Sequence, residues 1–197
     1  DKDYLDVIIN ELFPIIKTEN LANRVDAFVE ESAFSPEEIK PYFQKAKKMG
    51  FDITVHADQF TTGGSQVAVD FDAVSTEKEI QLLAKSSTIA TALPGASLGL
   101  GCAYTPARKI LDAGGALSIA SDHNPGSAPM GDLLTQASIL GTFEKLSNTE
   151  VLAGITSRAA AALRLENKGK LEAGAVADFV VFPTDNYQEI TYHQGQL

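Results

Sequence analysis

The sequence predicts an α/β protein built on parallel strands. Three observations predict it. Short alternating apolar runs recur between helical patterns, residues that start and stop helices punctuate the alternation, and the most polar clusters fall where strands end.

Each element has its own signal. Leu5, Ile8, Ile9, Leu12, Phe13 and Ile16 recur at helical spacing, so 3–17 reads as an amphipathic helix, bent or ended near Pro14. Val25 to Val29 alternates as a short strand. Ser35-Pro36-Glu37-Glu38 supplies an N-cap, a first-turn proline and a capping-box Glu for a helix reaching Met49, which Gly50 stops. Phe51 to His56 is the next strand, Glu77 to Lys85 a helix, and Thr88 to Leu93 a strand closed by Pro94-Gly95. Pro106 to Ala113 reads as a helix with Gly114 just past its end, followed by the strand Ala116 to Ser121. Helices over 131–145 and 149–164 come next, the second with a Ser147/Glu150 capping box. Beyond them the character changes: Ala177 to Phe182 is an apolar run after a turn, and 186–192 alternates as an antiparallel strand would. Only four or five βα units precede this tail. A closed eight-stranded barrel takes about 250 residues, so the pattern predicts part of a (β/α)8 TIM-type barrel.

Composition narrows the function classes. Among 197 residues, 26 are acidic and 16 basic, a formal charge of −10. That argues against nucleic acid as a partner, which would need a basic face. Apolar stretches are strand-sized, far below the roughly 20 residues of a membrane helix, so no membrane partner is expected. The first residues lack the basic flank and apolar core of a signal peptide. One cysteine, Cys102, excludes an internal disulfide and fits a reducing compartment; a cytoplasmic location is expected.

Two clusters sit at strand ends, where parallel α/β folds build their sites. One is His56-Ala57-Asp58-Gln59; the other is Ser121-Asp122-His123-Asn124-Pro125-Gly126-Ser127. An imidazole and a carboxylate can hold a divalent transition ion, which brings the pKa of bound water to roughly 7. The pattern alone favours a plainer reading, a packed His56 and an Asp122 that caps the next helix, because two donors do not complete a zinc site. Asn124-Pro125-Gly126-Ser127 reads first as a turn with Ser127 as N-cap, and second as backbone amides receiving a carboxylate with help from the helix dipole. Thr61-Thr62-Gly63-Gly64-Ser65 reads as a loop, and His193 as structural.

Together these residues resemble the imidazolonepropionase family of the metal-dependent amidohydrolase superfamily. The likeness runs over most of the chain. It rests on Ile53 to Gln59, Pro106-Ala107-Arg108-Lys109, Asp122 to Ser127, Gly169 to Asp178 and Tyr192-His193-Gln194-Gly195. The Gly169–Asp178 stretch is shared across the superfamily, while the HADQ and DxNPGS pair is more specific. The resemblance implies a (β/α)8 barrel joined to a small β-sandwich made from both chain ends. Residues 1–166 would be later βα units, and 167–197 a β-rich tail of the composite sandwich. It implies ring opening of 4-imidazolone-5-propanoate by water to N-formimidoyl-L-glutamate, in histidine degradation. His56 and Asp122 would ligate one zinc or iron ion per chain, and Asp122 would also accept the proton of the attacking water. Gln59 would contact the imidazolone ring, and Asn124, Gly126 and Ser127 would help hold this small-molecule substrate. The resemblance leaves room for a homodimer.

The chain also departs from the family. The His-x-His pair of the first barrel strand, with the Arg, Tyr and His substrate contacts of that half, falls upstream of Asp1. Ser75 runs directly into Thr76 where relatives carry Ala-Asp-His and a few more residues. Either a segment is deleted or the sequence is part of a longer chain, and a carboxyl-terminal half is the expectation. His123 stands where Phe is frequent. Two alternatives stay open: another cyclic amidohydrolase or deaminase of the superfamily, and a metal-free scaffold of that fold.

Overall fold

A computed structural model describes residues 2–30, 33–57, 80–81 and 83–194. The chain divides into two compact units, 1–88 and 89–197, and each is described by itself.

The first unit opens with α1 (Lys2–Val7), a π-helical turn (Ile8–Leu12) and α2 (Phe13–Thr18). Helical structure thus passes Pro14 instead of ending there. The Phe13 amide reaches back five residues to the Ile8 carbonyl, and this wider turn sits immediately before the proline ring, which has no amide to donate. Phe13, 1% exposed, stacks on Tyr42 and Phe51 at ring separations of 5.0 and 5.2 Å. Strand β1 (Arg24–Val29) pairs in parallel with β2 (Asp52–Ala57), Arg24 opposite Asp52 and Val29 opposite Ala57. Helix α3 (Pro36–Lys48) makes the crossover. Its start is the expected capping box: Ser35 Oγ accepts from the Glu38 amide, and Glu38 accepts from the Ser35 amide. The Ser35 amide first and the Ser35 hydroxyl second, both donating to the Glu38 carboxylate, hold it below its ordinary range. Ile39, Tyr42, Phe43 and Ala46 face Val25, Ala27, Val29, Ile53 and Val55 in the buried core.

The alternation leaves Arg24, Asp26 and Phe28 on β1, with Asp52, Thr54 and His56 on β2, on the sheet face away from that core. Residues 80, 81 and 83 are helical, within the helix expected over 77–85.

In the second unit β3 (Ile89–Ala92) pairs in parallel with β4 (Ala116–Ile119) through α4 (Pro94–Leu100) and α5 (Ala107–Asp112). Gly114, at φ +88°, ends α5 in the left-handed conformation the sequence predicts. Helices α6 (Leu133–Phe143), α7 (Asn148–Ile155) and α8 (Ser157–Ala162) follow. The expected single helix over 149–164 is broken at Thr156, whose hydroxyl bonds back to the Leu152 carbonyl at 2.6 Å, a contact that bends helices. Arg108 of α5 holds both oxygens of Glu150 at 3.0 Å, fixing α5 to the start of α7.

The tail differs from expectation. The run 177–182 forms no strand, and Phe179, Val180 and Val181 are 65–80% exposed. Gln188–Tyr192 is a helix, α9, where alternation predicted a strand. A strand needs a neighbour for its ladder, and the described residues offer none here. The helical turn instead gains a bond from the Gln188 amide to Asn186 Oδ1 and a Glu189–His193 pair at 2.7 Å. Among the described residues, the four named strands form two two-stranded parallel sheets. No described helix is long and apolar enough to cross a membrane.

Candidate functional site

His56 lies one residue from the end of β2, with Ile53 and Val55 buried on the other face. Its Nδ1 is 2.8 Å from the Asp26 carboxylate, and both side chains are close to half exposed. Asp26 stands opposite Thr54 in the register, so it meets His56 on the diagonal of the same face. Phe28 lies edge-on to the imidazole, at 6.4 Å between ring centres. Arg24 donates to Thr54 Oγ1 at 3.2 Å and lies 3.6 Å from Asp52. The face therefore carries two pairs side by side, the ion pair of Arg24 with Asp52 and the hydrogen-bonded pair of His56 with Asp26. Tyr42 on α3 donates to the Asp26 carbonyl at 3.0 Å; its hydroxyl pKa is pushed up to about 12, chiefly by burial and then by Asp26.

In the second unit Asp122 comes three residues after β4, with φ +47°. Few residues other than glycine adopt that backbone, and Asp is among those that do. Asn124 organises the loop around it. Asn124 Oδ1 accepts from the Gly126 and Ser127 amides at 2.9 and 2.8 Å, and Nδ2 donates to the Asp122 carbonyl at 2.6 Å and to Ser127 Oγ at 3.1 Å. The amides expected to receive a substrate carboxylate are thus bonded to Asn124. Helix α6 starts only at Leu133, and its N-cap is Asp132, whose carboxylate is held below its ordinary range first by the Thr135 hydroxyl and then by the Thr135 amide. Neither Ser127 nor Asp122 caps that helix, because a further turn of chain separates them from it.

Two more residues hold the loop. A Cβ at Gly99 of α4 would lie 2.0 Å from the Ser127 carbonyl oxygen, so only glycine fits there as placed. Gln136 of α6, 1% exposed, accepts from the Gly95 amide at 3.0 Å and donates to the Met130 carbonyl at 2.5 Å. Sequence reasoning missed both Gln136 and Asp26. For Asp26 the signal was present: its place in the alternation puts it on the face of the neighbouring strand's His56.

The donor types suit a divalent transition ion, since zinc and ferrous iron both take imidazole nitrogen and carboxylate oxygen. His56 belongs to the first unit and Asp122 to the second. No group of three or more His, Cys, Asp or Glu that could hold a metal is found among the described residues. Gln59, the Thr61–Ser65 loop and the Ser75–Thr76 junction lie outside those residues. His193 is paired with Glu189 in α9. A cleft of about 580 Å³ in the second unit, lined by residues such as Ser138, Val151 and Tyr192, includes none of Asp122, Asn124, Gly126 or Ser127.

Comparison with known proteins extends this picture. The model of an amidohydrolase family matches residues 89–193. The imidazolonepropionase of Bdellovibrio bacteriovorus is 37% identical over 204 residues, covering 99% of this chain and 48% of the relative. That of Deinococcus radiodurans is 36% identical over 201 residues, covering 98% and 50%. The chain spans about half the length of these curated relatives. Among solved structures, the zinc complex of atrazine chlorohydrolase TrzN from Arthrobacter aurescens TC1 superposes with a TM-score of 0.70 at 18% identity, over 88% of this chain and 46% of that one. Guanine deaminase from C. acetobutylicum, with guanine in its active site, gives a TM-score of 0.63 at 16% identity, over 86% and 49%. At such identities the structures show the fold alone.

Proposed function

The chain belongs to the amidohydrolase family, and from that premise we propose that it is the carboxyl-terminal half of an imidazolonepropionase. Its substrate would be 4-imidazolone-5-propanoate and its product N-formimidoyl-L-glutamate. The observation that carries this reading is the identity of about 37% to imidazolonepropionases over nearly the whole chain. The Asp122–Ser127 loop at the end of β4 is where an α/β fold of this kind places its chemistry. We place 1–166 among the later βα units of a TIM-type barrel and 167–197 in a composite β-sandwich.

In this reading His56 and Asp122 are two ligands of one zinc or iron ion. When bound, that ion would acidify a water molecule and polarise the ring carbonyl. Asp122 takes the proton of the attacking water and returns it to the ring nitrogen as the C–N bond breaks. Gln59 contacts the ring. Asn124 keeps the loop in one shape, with Ser127 Oγ as a hydroxyl for the substrate, and the bonds from Asn124 to Gly126 and Ser127 make these residues a rigid wall.

The test uses the intact polypeptide. Its addition to imidazolonepropionate should abolish the substrate's ultraviolet absorbance and release N-formimidoyl-L-glutamate, and metal analysis should find about one ion per chain. Asp122→Asn should lose turnover by a factor of 10² or more. Turnover of an aminated ring but not of imidazolonepropionate would replace this reading with a deaminase. Full activity and metal content in Asp122→Asn would remove the ligand-and-base assignment.

A further inference from the structure

We propose that Asp26 is the positioning residue of His56: it holds the imidazole with its proton on Nδ1 and so makes Nε2 the metal-binding nitrogen. The inference rests on the reading of His56 as a ligand. An ionised carboxylate only accepts hydrogen bonds, so at 2.8 Å from Asp26 the Nδ1 position must carry the proton. Ligating histidines generally donate their other ring N–H to a carboxylate or carbonyl, which fixes tautomer and ring orientation together.

Three features make this arrangement specific to Asp26. Parallel register puts it on the diagonal to His56 on one sheet face, within reach without distortion. Its backbone is fixed by buried Val25 and Ala27 on either side and by the Tyr42 hydroxyl on its carbonyl. The other carboxylate of that face, Asp52, lies beside Arg24. Phe28, edge-on to the imidazole, borders the ring that the carboxylate orients. A pair this exposed contributes little to folding, so stability is a weak reason for its presence.

The experiment measures zinc affinity of the intact, metal-stripped polypeptide by competition with a chromophoric chelator. It is read with ¹⁵N NMR of the His56 ring in the metal-free state and a thermal melt. Asp26→Ala should weaken zinc binding by about 10- to 100-fold and shift the ring from the Nδ1–H toward the Nε2–H tautomer. Asp26→Glu should restore part of both. Asp52→Asn, which removes a charge from the same face, should stay within about twofold of the parent. Unchanged affinity in Asp26→Ala, or an equal loss in Asp26→Ala and Asp52→Asn, would overturn the proposal. Full zinc binding by His56→Ala would instead overturn the reading of His56 as a ligand. If Asp26→Ala does not fold, Asp26→Asn carries the same comparison, because it keeps the side-chain volume and loses the charged acceptor.

Discussion

Gln136→Met is the substitution in which the loop's support is most directly measured. Methionine nearly matches glutamine in volume, so little cavity or strain accompanies the change. What it removes is polar. Helix α4 begins after Leu93, which has no side-chain acceptor for the free amides of the first turn, and Gln136 Oε1 caps the Gly95 amide from α6. Nε2 meanwhile serves the Met130 carbonyl at the end of the Asp122 loop. The methionine variant leaves the buried Gly95 amide and the part-buried Met130 carbonyl without this partner. At about 1–3 kcal/mol for a buried unsatisfied group, and less for the part-buried carbonyl, the expected loss is about 2–4 kcal/mol. With a urea dependence of about 2–3 kcal/mol per molar, the unfolding midpoint should fall by about 1–2 M. Hydrogen exchange supplies a local reading: the Gly95 amide should lose protection while amides of α3 keep theirs. A midpoint within about 0.2 M of the parent, with Gly95 still protected, would refute the argument that Gln136 ties α4 to the loop.

Two further predictions concern the second unit. The Arg108 guanidinium, with the Ser147 amide second, holds the Glu150 carboxyl down at about 2. Glu150→Gln keeps the capping box and removes the charge, so the parent should be more stable by about 1 kcal/mol at neutral pH, a small value because the pair is partly solvated. Because the folded-state pKa lies below the ordinary 4.5, that advantage is complete above pH 4.5 and disappears as pH falls toward 2. Urea titrations of both proteins across that window check the sign, and a difference independent of pH would contradict it. Gly99→Ala should push the Ser127 carbonyl aside at a cost of about 1–3 kcal/mol and, under the proposed function, should raise KM for the proposed substrate more than it lowers kcat; unaltered stability and KM would show that the contact is slack.

The elements legible in the sequence were those whose signals are local. Both capping boxes, Ser35 with Glu38 and Ser147 with Glu150, are spelled within four residues and occur as read. The same holds for Gly114 and for the alternation that splits β1 and β2 into a buried and a polar face. Where reading failed, a partner remote in sequence decided the outcome. The true cap of α6 is Asp132 because the chain needs five further residues beyond Ser127 to turn, a length that Asn124 sets by folding the loop on itself. Alternation at 186–192 predicts a strand, yet period two yields a strand only when another strand accepts its bonds, and the segment is helical. Of the candidate residues, His56 and Asp122 are legible in the sequence as residue types at strand ends. The Asp26 contact required the register of two strands, and the Gln136 bridge required helices 41 residues apart to meet.

In the proposed reading the composite sandwich covers the run at 177–182, and a chain lacking that cover leaves it open to other molecules. Phe179-Val180-Val181-Phe182 is apolar, rich in β-formers and uncharged, the composition that templates pairing between molecules. Asp178 precedes it, tied to Lys168, and Pro183 follows it. A charge at one end and a residue without an amide at the other are the guards that limit growth of a cross-β stack. In a chain lacking that cover, replacing either should leave the helices untouched and promote association between molecules, so light scattering would report on two residues remote from the candidate site.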